Sequence, residues 1–242
     1  MSTFFEYDLS ESMKQTLSGL GFVSPTPIQK EAIPLLLAGT SDFIGLASTG
    51  TGKTLAFGIP LIEQIDPNLK AMQGLVLCPT RELAQQVATQ LTNLGQSKKL
   101  RIAVIYGGSS YQKQIEAIKR GATIAVATPG RLKDLIEGNY LKINSLKALI
   151  MDEADEMISM GFKDDLEWIL SATHAQQTQQ EKPNSAHSSA NAIRAACKTW
   201  LFSATMSKEI RKVADQYLHN PAVVSIAKQG GAFELIEQIY YT

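Results

Sequence analysis

Ala47-Ser48-Thr49-Gly50-Thr51-Gly52-Lys53-Thr54 reads as a phosphate-binding loop, and that reading decides the fold class. The general pattern is G-x-x-x-x-G-K-[ST], and only its first glycine is replaced, by Ala47. Upstream, Asp42-Phe43-Ile44-Gly45-Leu46-Ala47 has the apolar run of a short buried strand, and downstream Leu55-Ala56-Phe57 begins a helical pattern. Gly50 and Gly52 let the backbone curl so that successive N–H groups face one anion, and the helix N-terminus adds its partial positive charge. Ser48, Thr49, Gly50, Thr51 and Gly52 are therefore expected around a phosphate chain. Lys53 reaches its outer phosphates and Thr54 offers a hydroxyl to Mg²⁺. The competing reading, a glycine-rich strand-to-helix turn with an incidental lysine, is the lesser one because both flanks have the required pattern.

The chain has 242 residues, 44% of them hydrophobic, enough for one large α/β domain or two small ones. Formal net charge is zero, which argues against a polybasic nucleic-acid binder but not against a few placed contacts. Two cysteines, Cys78 and Cys197, make no disulfide framework, so a reducing compartment is expected. No apolar run approaches the roughly 18 residues of a membrane span. Met1-Ser2-Thr3-Phe4-Phe5-Glu6 has neither part of a secretion signal. A cytoplasmic, soluble chain with no membrane partner is the expectation.

Apolar strand candidates recur at 43–47, 75–78, 102–106, 124–127, 148–151, 200–202 and 223–226, with helical patterns between them. Short, nearly continuous apolar runs alternating with helices predict a mostly parallel β-sheet sandwiched by helices. Polar clusters follow the strands directly: Pro79-Thr80-Arg81-Glu82-Leu83, Gly107-Gly108, Thr128-Pro129-Gly130-Arg131, Asp152-Glu153-Ala154-Asp155 and Ser203-Ala204-Thr205. Ligands of open α/β sheets bind beyond the carboxyl ends of the strands, so all five are expected on one edge with the phosphate loop. Residues 172–198 break the pattern, being rich in Gln, Ser, Ala and Asn, and read as a flexible loop. It is a tolerated insertion or, as the lesser reading, a partner-binding tail, and its His174, His187 and Cys197 lack zinc spacing.

Asp152 ends an apolar strand, where a carboxylate holds Mg²⁺ opposite the loop hydroxyl. Glu153, next along the chain, is placed to orient the attacking water or accept its proton. An acidic helix N-terminus is the plainer alternative. Taken together, Gly21-Phe22-Val23-Ser24-Pro25-Thr26-Pro27-Ile28-Gln29, residues 47–54 and the five clusters above occur in order over nearly the whole chain. That series resembles the first RecA-like domain of a DEAD-box RNA helicase.

The resemblance implies an α/β RecA-like P-loop domain using ATP and Mg²⁺. Lys53, Asp152 and Glu153 are its catalytic residues, with Thr54 and Asp152 on the metal. It assigns Phe22 and Gln29 to adenine recognition, where a carboxamide can pair with the base edge. Thr26-Pro27-Ile28-Gln29 is equally a capping box, and both readings stand. An upstream aromatic stacks on the adenine in the family; spacing favours Phe4, with Phe5 the alternative. RNA contacts are implied at Pro79, Thr80, Arg81, Gly107, Gly108, Thr128, Pro129, Gly130 and Arg131. Thr80 and Thr128 are candidate N-caps whose helix ends would bind phosphates of single-stranded or duplex RNA without reading sequence. Ser203 and Thr205 would couple nucleotide state to strand separation through Asp155.

The expected organisation is an adenine-recognition segment over 1–40, the ATP-binding domain over 41–228 and the start of an interdomain linker over 229–242. A second RecA-like domain is missing, so 1–242 reads as a monomeric fragment that binds nucleotide but is nearly inactive. The alternatives are an ATP-gated RNA clamp without unwinding and a DNA-directed P-loop ATPase.

Overall fold

A computed structural model describes residues 3–179 and 197–226. The apolar runs form strands β1 (Phe43–Leu46), β2 (Gly74–Leu77), β3 (Ile102–Ile105), β4 (Ile124–Ala127), β5 (Ala148–Met151), β6 (Lys198–Ser203) and β7 (Ala222–Ser225). They make one sheet in the order β3-β4-β2-β5-β6-β1-β7, and every neighbouring pair is parallel. β2, β4 and β5 are buried along their whole length, which requires a sheet covered on both faces.

Helices supply both covers. On one face lie α1 (Glu11–Gly19), α2 (Pro27–Ala38), α3 (Lys53–Gln64) and α4 (Arg81–Leu94), whose Met13, Ile28, Phe57 and Leu91 share a core with Val76, Ile150, Trp200 and Phe202. On the other lie α5 (Tyr111–Lys119), α6 (Pro129–Glu137), α7 (Ala154–Ser159), α8 (Lys163–Gln179) and α9 (Lys208–Tyr217). Their Ile115, Leu132, Met157, Ile169 and Val213 meet Leu75, Leu77, Leu149 and Leu201. Strand residues alternate between the two cores, as the period of two demands: Leu75 and Leu77 to one, Val76 to the other. The helix after β1 covers the first face and the helices after β5 and β6 the second, so their loops diverge and leave a crevice at the carboxyl edge. Among the described residues no helix is long and apolar enough to cross a membrane.

The loop expected over 172–198 is shorter than its composition suggests. α8 continues through it to Gln179, and β6 begins already at Lys198. Alanine and glutamine are good helix formers, and fully buried Thr173 anchors this turn by bonding Ile169 O at 2.8 Å. Propensity and one buried contact outweigh the lack of large apolar side chains. Residues 180–196 of that loop, and the linker expected over 229–242, lie outside the described residues. In the N-terminal segment, Leu9, Met13, Leu17 and Ile28 belong to the same core as Phe43 of β1.

Gly45 of β1 lies where two aromatic rings close over the strand: a methyl group there would stand 2.8 Å from both Phe43 and Phe202. Gly45→Ala is expected to lose about 1–3 kcal/mol by overpacking, read from urea unfolding. An unchanged midpoint would mean that the rings give way freely.

Candidate functional site

Loop 47–54 joins β1 to α3. Ala47 N–H donates to Ser203 O at 3.0 Å, which seats the loop beside β6. Gly50 and Gly52 hold φ of 79° and 93°, left-handed values that favour glycine. Thr51 Oγ1 closes the turn on Ser48 O at 2.7 Å, and Gly52 is the N-cap of α3. The first-turn N–H groups of α3, which have no intrahelical acceptor, thus open from the loop.

Lys53 is only 6% exposed, yet its ammonium has no hydrogen-bond partner. Asp152, at the end of β5, is 3% exposed and its Oδ1 is equally unpartnered. Burial pushes the Asp152 carboxyl up to about 7; the Lys53 ammonium pulls against this and Glu153 adds to it. Buried polar groups left without partners are costly and rare, and they point to a ligand that completes them. An ammonium, a carboxylate, the half-buried Thr54 hydroxyl and a run of backbone N–H groups fit a phosphate chain carrying Mg²⁺, an ion that takes one or two protein ligands beside phosphate oxygens.

Glu153 adopts φ 54°, ψ 52° as N-cap of α7, a left-handed conformation strained for a side-chain-bearing residue. Its Oε1 lies 3.4 Å from Thr49 Oγ1, joining the acidic loop to the phosphate loop. Asp155 stands in contrast to Asp152. Partial burial raises it, but bonds from the Thr205 hydroxyl and the Ala204 amide outweigh that and leave its carboxyl below the usual range. Thr205 donates to Asp155 Oδ2 through N–H at 3.0 Å and Oγ1 at 2.9 Å. The Ser203 hydroxyl donates to Thr205 O at 2.7 Å, bracing the turn from within.

Gln29 unites the two roles that its sequence left open. Its Oε1 accepts from Thr26 N–H at 2.9 Å, as a capping box requires, and its Nε2 donates to Gly52 O at 3.0 Å. The reciprocal Thr26 Oγ1 has no hydrogen-bond partner. Gln29 is 4% exposed, so the segment before α2 is tied directly to the phosphate loop. A Cβ on Gly52 would lie 2.3 Å from Gln29 Nε2. The expectation for Phe4 needs correction: it is 1% exposed, in the core and edge-on to Tyr7, with no face free for a base. Phe5, on the other side of the same 3₁₀ turn, is 55% exposed, and Phe22 is 38% exposed.

The three segments expected to meet nucleic acid lie after β2, β3 and β4. Thr80 caps α4 by accepting from Leu83 N–H at 3.2 Å. Thr128 occupies the N-cap of α6 but makes no capping bond, with Pro129 following at the first helical position. Pro79 and Pro129 are buried, whereas Gly107 and Gly108 are exposed. Arg81 is 54% exposed, whereas Arg131 is 16% exposed and already engaged by the protein. Sequence reasoning passed over Gln85, which donates to Tyr106 Oη at 2.9 Å, and buried Gln114, which donates to Tyr106 O at 2.9 Å. Both read as ordinary polar helix residues, and nothing in their spacing marks them.

The DEAD/DEAH box helicase family model matches residues 26–213. The chain is 44% identical to RNA helicase CrhR of Synechocystis over 99% of its own length and 44% of the relative's. It is 40% identical to the ATP-dependent RNA helicase CshA of Listeria monocytogenes, over 99% and 42%. Among solved structures, a DEAD box protein of Methanococcus jannaschii superposes with TM-score 0.81 at 38% identity, covering 92% of this chain and 55% of that one. The yeast DEAD-box splicing factor Prp28 superposes with TM-score 0.82 at 31% identity, over 96% and 53%. The chain thus spans less than half the length of these curated relatives.

The raised Asp152 carboxyl has a definite stability signature. Between about pH 4 and the folded value of about 7 the unfolded chain loses this proton while the folded one keeps it. The stability contribution of Asp152 therefore falls as pH rises through that window, by something on the order of 2–4 kcal/mol, and is level above it. Unfolding of the nucleotide-free protein beside Asp152→Asn at pH 5 and pH 8 measures this. Wild type is expected to lose stability relative to the variant on going to pH 8; a constant difference would mean an ordinary carboxyl.

Proposed function

The chain belongs to the DEAD/DEAH box helicase family, and from that premise we propose that it is the ATP- and RNA-binding core domain of an ATP-dependent RNA helicase. The observation that carries this reading is the unpartnered pair Lys53 Nζ and Asp152 Oδ1, buried at the glycine loop. Backbone N–H groups of residues 48–54 hold the phosphates of ATP, and Lys53 balances charge on the outer ones. Thr54 and Asp152 would hold Mg²⁺, which when bound neutralises the β- and γ-oxygens. Glu153, fixed by its left-handed backbone and by Thr49, orients the attacking water and takes its proton. Gln29 retains one amide hydrogen and one lone pair for the adenine edge, with exposed Phe5 or Phe22 for its face.

The Asp155–Thr205 bonds join the acidic loop to the turn after β6, so a shift at Asp152 and Glu153 is passed to Ser203-Ala204-Thr205. RNA contacts fall to Arg81, to the exposed Gly107 and Gly108, and to the ends of α4 and α6. They meet the phosphate backbone and carry no sequence information. With formal net charge zero, ionic contacts are few and the salt dependence modest. A second RecA-like domain of the full-length protein would add arginines at the γ-phosphate, worth roughly 10³–10⁵ in rate. Residues 1–242 alone are then a monomer that binds nucleotide and turns it over very slowly. Two cysteines, Cys78 and Cys197, that make no disulfide framework suit the cytoplasm.

Steady-state ATP hydrolysis by the full-length protein, with and without single-stranded RNA, tests the assignment. RNA should stimulate turnover, and Glu153→Gln should reduce it about 10²–10⁴-fold while nucleotide still binds. Bound nucleotide without turnover would favour an ATP-gated clamp, and equal stimulation by DNA would redirect the substrate. A companion variant probes the phosphate loop. Gly52→Ala, which drives a methyl into Gln29 and strains a left-handed backbone, should weaken ATP binding at least about tenfold by equilibrium titration, and unaltered affinity would refute the close loop–Gln29 fit.

A further inference from the structure

The loop between β3 and α5 is held from three sides. Tyr106, at its start, accepts from Gln85 of α4 through Oη and from Gln114 of α5 through its carbonyl, both at 2.9 Å. Gly107 and Gly108 follow, exposed, with open space around each and Gly108 at φ 77°. From the far side, Arg131 of α6 donates Nη1–H to Ser109 O at 3.2 Å. The Arg131 guanidinium lies 5.1 Å from the centroid of the Tyr111 ring, and its Nε lies 3.8 Å from Asp134. Tyr111 is itself packed edge-on against Tyr140, with ring centroids 5.6 Å apart.

Arg131 is therefore committed to the protein on its ring face and on two donor edges. Arg81, bonded to the protein through Nε alone and 54% exposed, presents most of its guanidinium to solvent, whereas Arg131, 16% exposed, is turned mainly toward the protein. A pair of glycines left unpinned samples many backbone states, and fixing them on RNA would cost conformational entropy. A cation–π contact and a charge-assisted hydrogen bond that fix them beforehand remove that cost.

We propose that Arg131 supports RNA from behind: with Tyr111 as its aromatic shelf, it is a positioning residue that holds the Gly107–Gly108 turn in register with the N-terminus of α6. The backbone N–H groups of turn and helix then face one RNA strand together. Tyr111, which no motif marks, becomes a determinant of RNA affinity without touching RNA. This inference rests on the RNA-binding reading above.

The test is binding of a single-stranded oligouridylate to the full-length protein with a non-hydrolysable ATP analogue, over a salt series. Tyr111→Leu and Arg131→Met should each weaken binding about fivefold, and the double variant no more than either, because they break one contact. The salt slope should stay at the wild-type value in all three, while Arg81→Gln lowers it by about one. Tyr111→Phe, which keeps the ring, should restore wild-type affinity. Melting temperature and ATP affinity of Tyr111→Leu check that it is folded. Wild-type affinity in Tyr111→Leu, or a slope lowered by about one in Arg131→Met, would overturn the proposal and make Arg131 a direct phosphate ligand. Failure of the wild-type protein to bind RNA would sink the RNA-binding reading itself.

Discussion

Four loops of the site begin by extending the sheet. Ala47 N–H bonds Ser203 O, Cys78 N–H bonds Ala127 O, Thr128 N–H bonds Ile105 O and Asp152 N–H bonds Leu77 O, all between 2.9 and 3.0 Å. These ladder bonds lie one residue beyond the strands, so the first residue of each of these four loops is fixed by the strand next to it. Parallel strands make this possible, because all their carboxyl ends emerge at one edge. The arrangement depends in turn on burial of both sheet faces, which the two helical layers provide. Loosening either core would blur the relative positions of loops that are far apart in sequence.

Within that frame, two carboxylates three positions apart have opposite environments. Asp152 is buried, without a partner for one oxygen, and is raised to about 7. Asp155 is hydrogen-bonded by the turn after β6 and lies below the usual range. Burial opposes charge in both, far more fully at Asp152, and only at Asp155 do hydrogen bonds from the turn after β6 outweigh it. The first is left to be completed by a ligand, and the second is completed by the protein. In the proposed reading this is what separates nucleotide chemistry from its transmission. Glu153, between them, carries the backbone strain that such a division concentrates at one residue.

Arginines show how little a residue type says about its use. Arg81 and Arg131 each follow a strand within a short polar cluster, and each lies near a tyrosine, Tyr106 at 5.9 Å and Tyr111 at 5.1 Å. Arg81 keeps its head in solvent, while Arg131 is enclosed between α5, α6 and the preceding loop. The same enclosure explains the missed Gln114, which is buried against a carbonyl that only the folded loop presents to it.

The seven strands, the glycine turn between β1 and α3, the Thr80 cap and the order of the polar clusters were legible in the sequence, because each rests on local rules: apolar runs, glycine spacing, a hydroxyl beside a helix start. Composition misjudged α8, where helix propensity and one buried threonine carried the chain to Gln179. Tertiary packing alone decided which side of a 3₁₀ turn faces the core, burying Phe4 and exposing Phe5. It alone joined Gln29 to Gly52 and Arg131 to Tyr111. Sequence determines what a short segment can adopt by itself. Which distant group meets it, and whether a charge ends in water or against a ring, is decided by packing the two cores around the sheet.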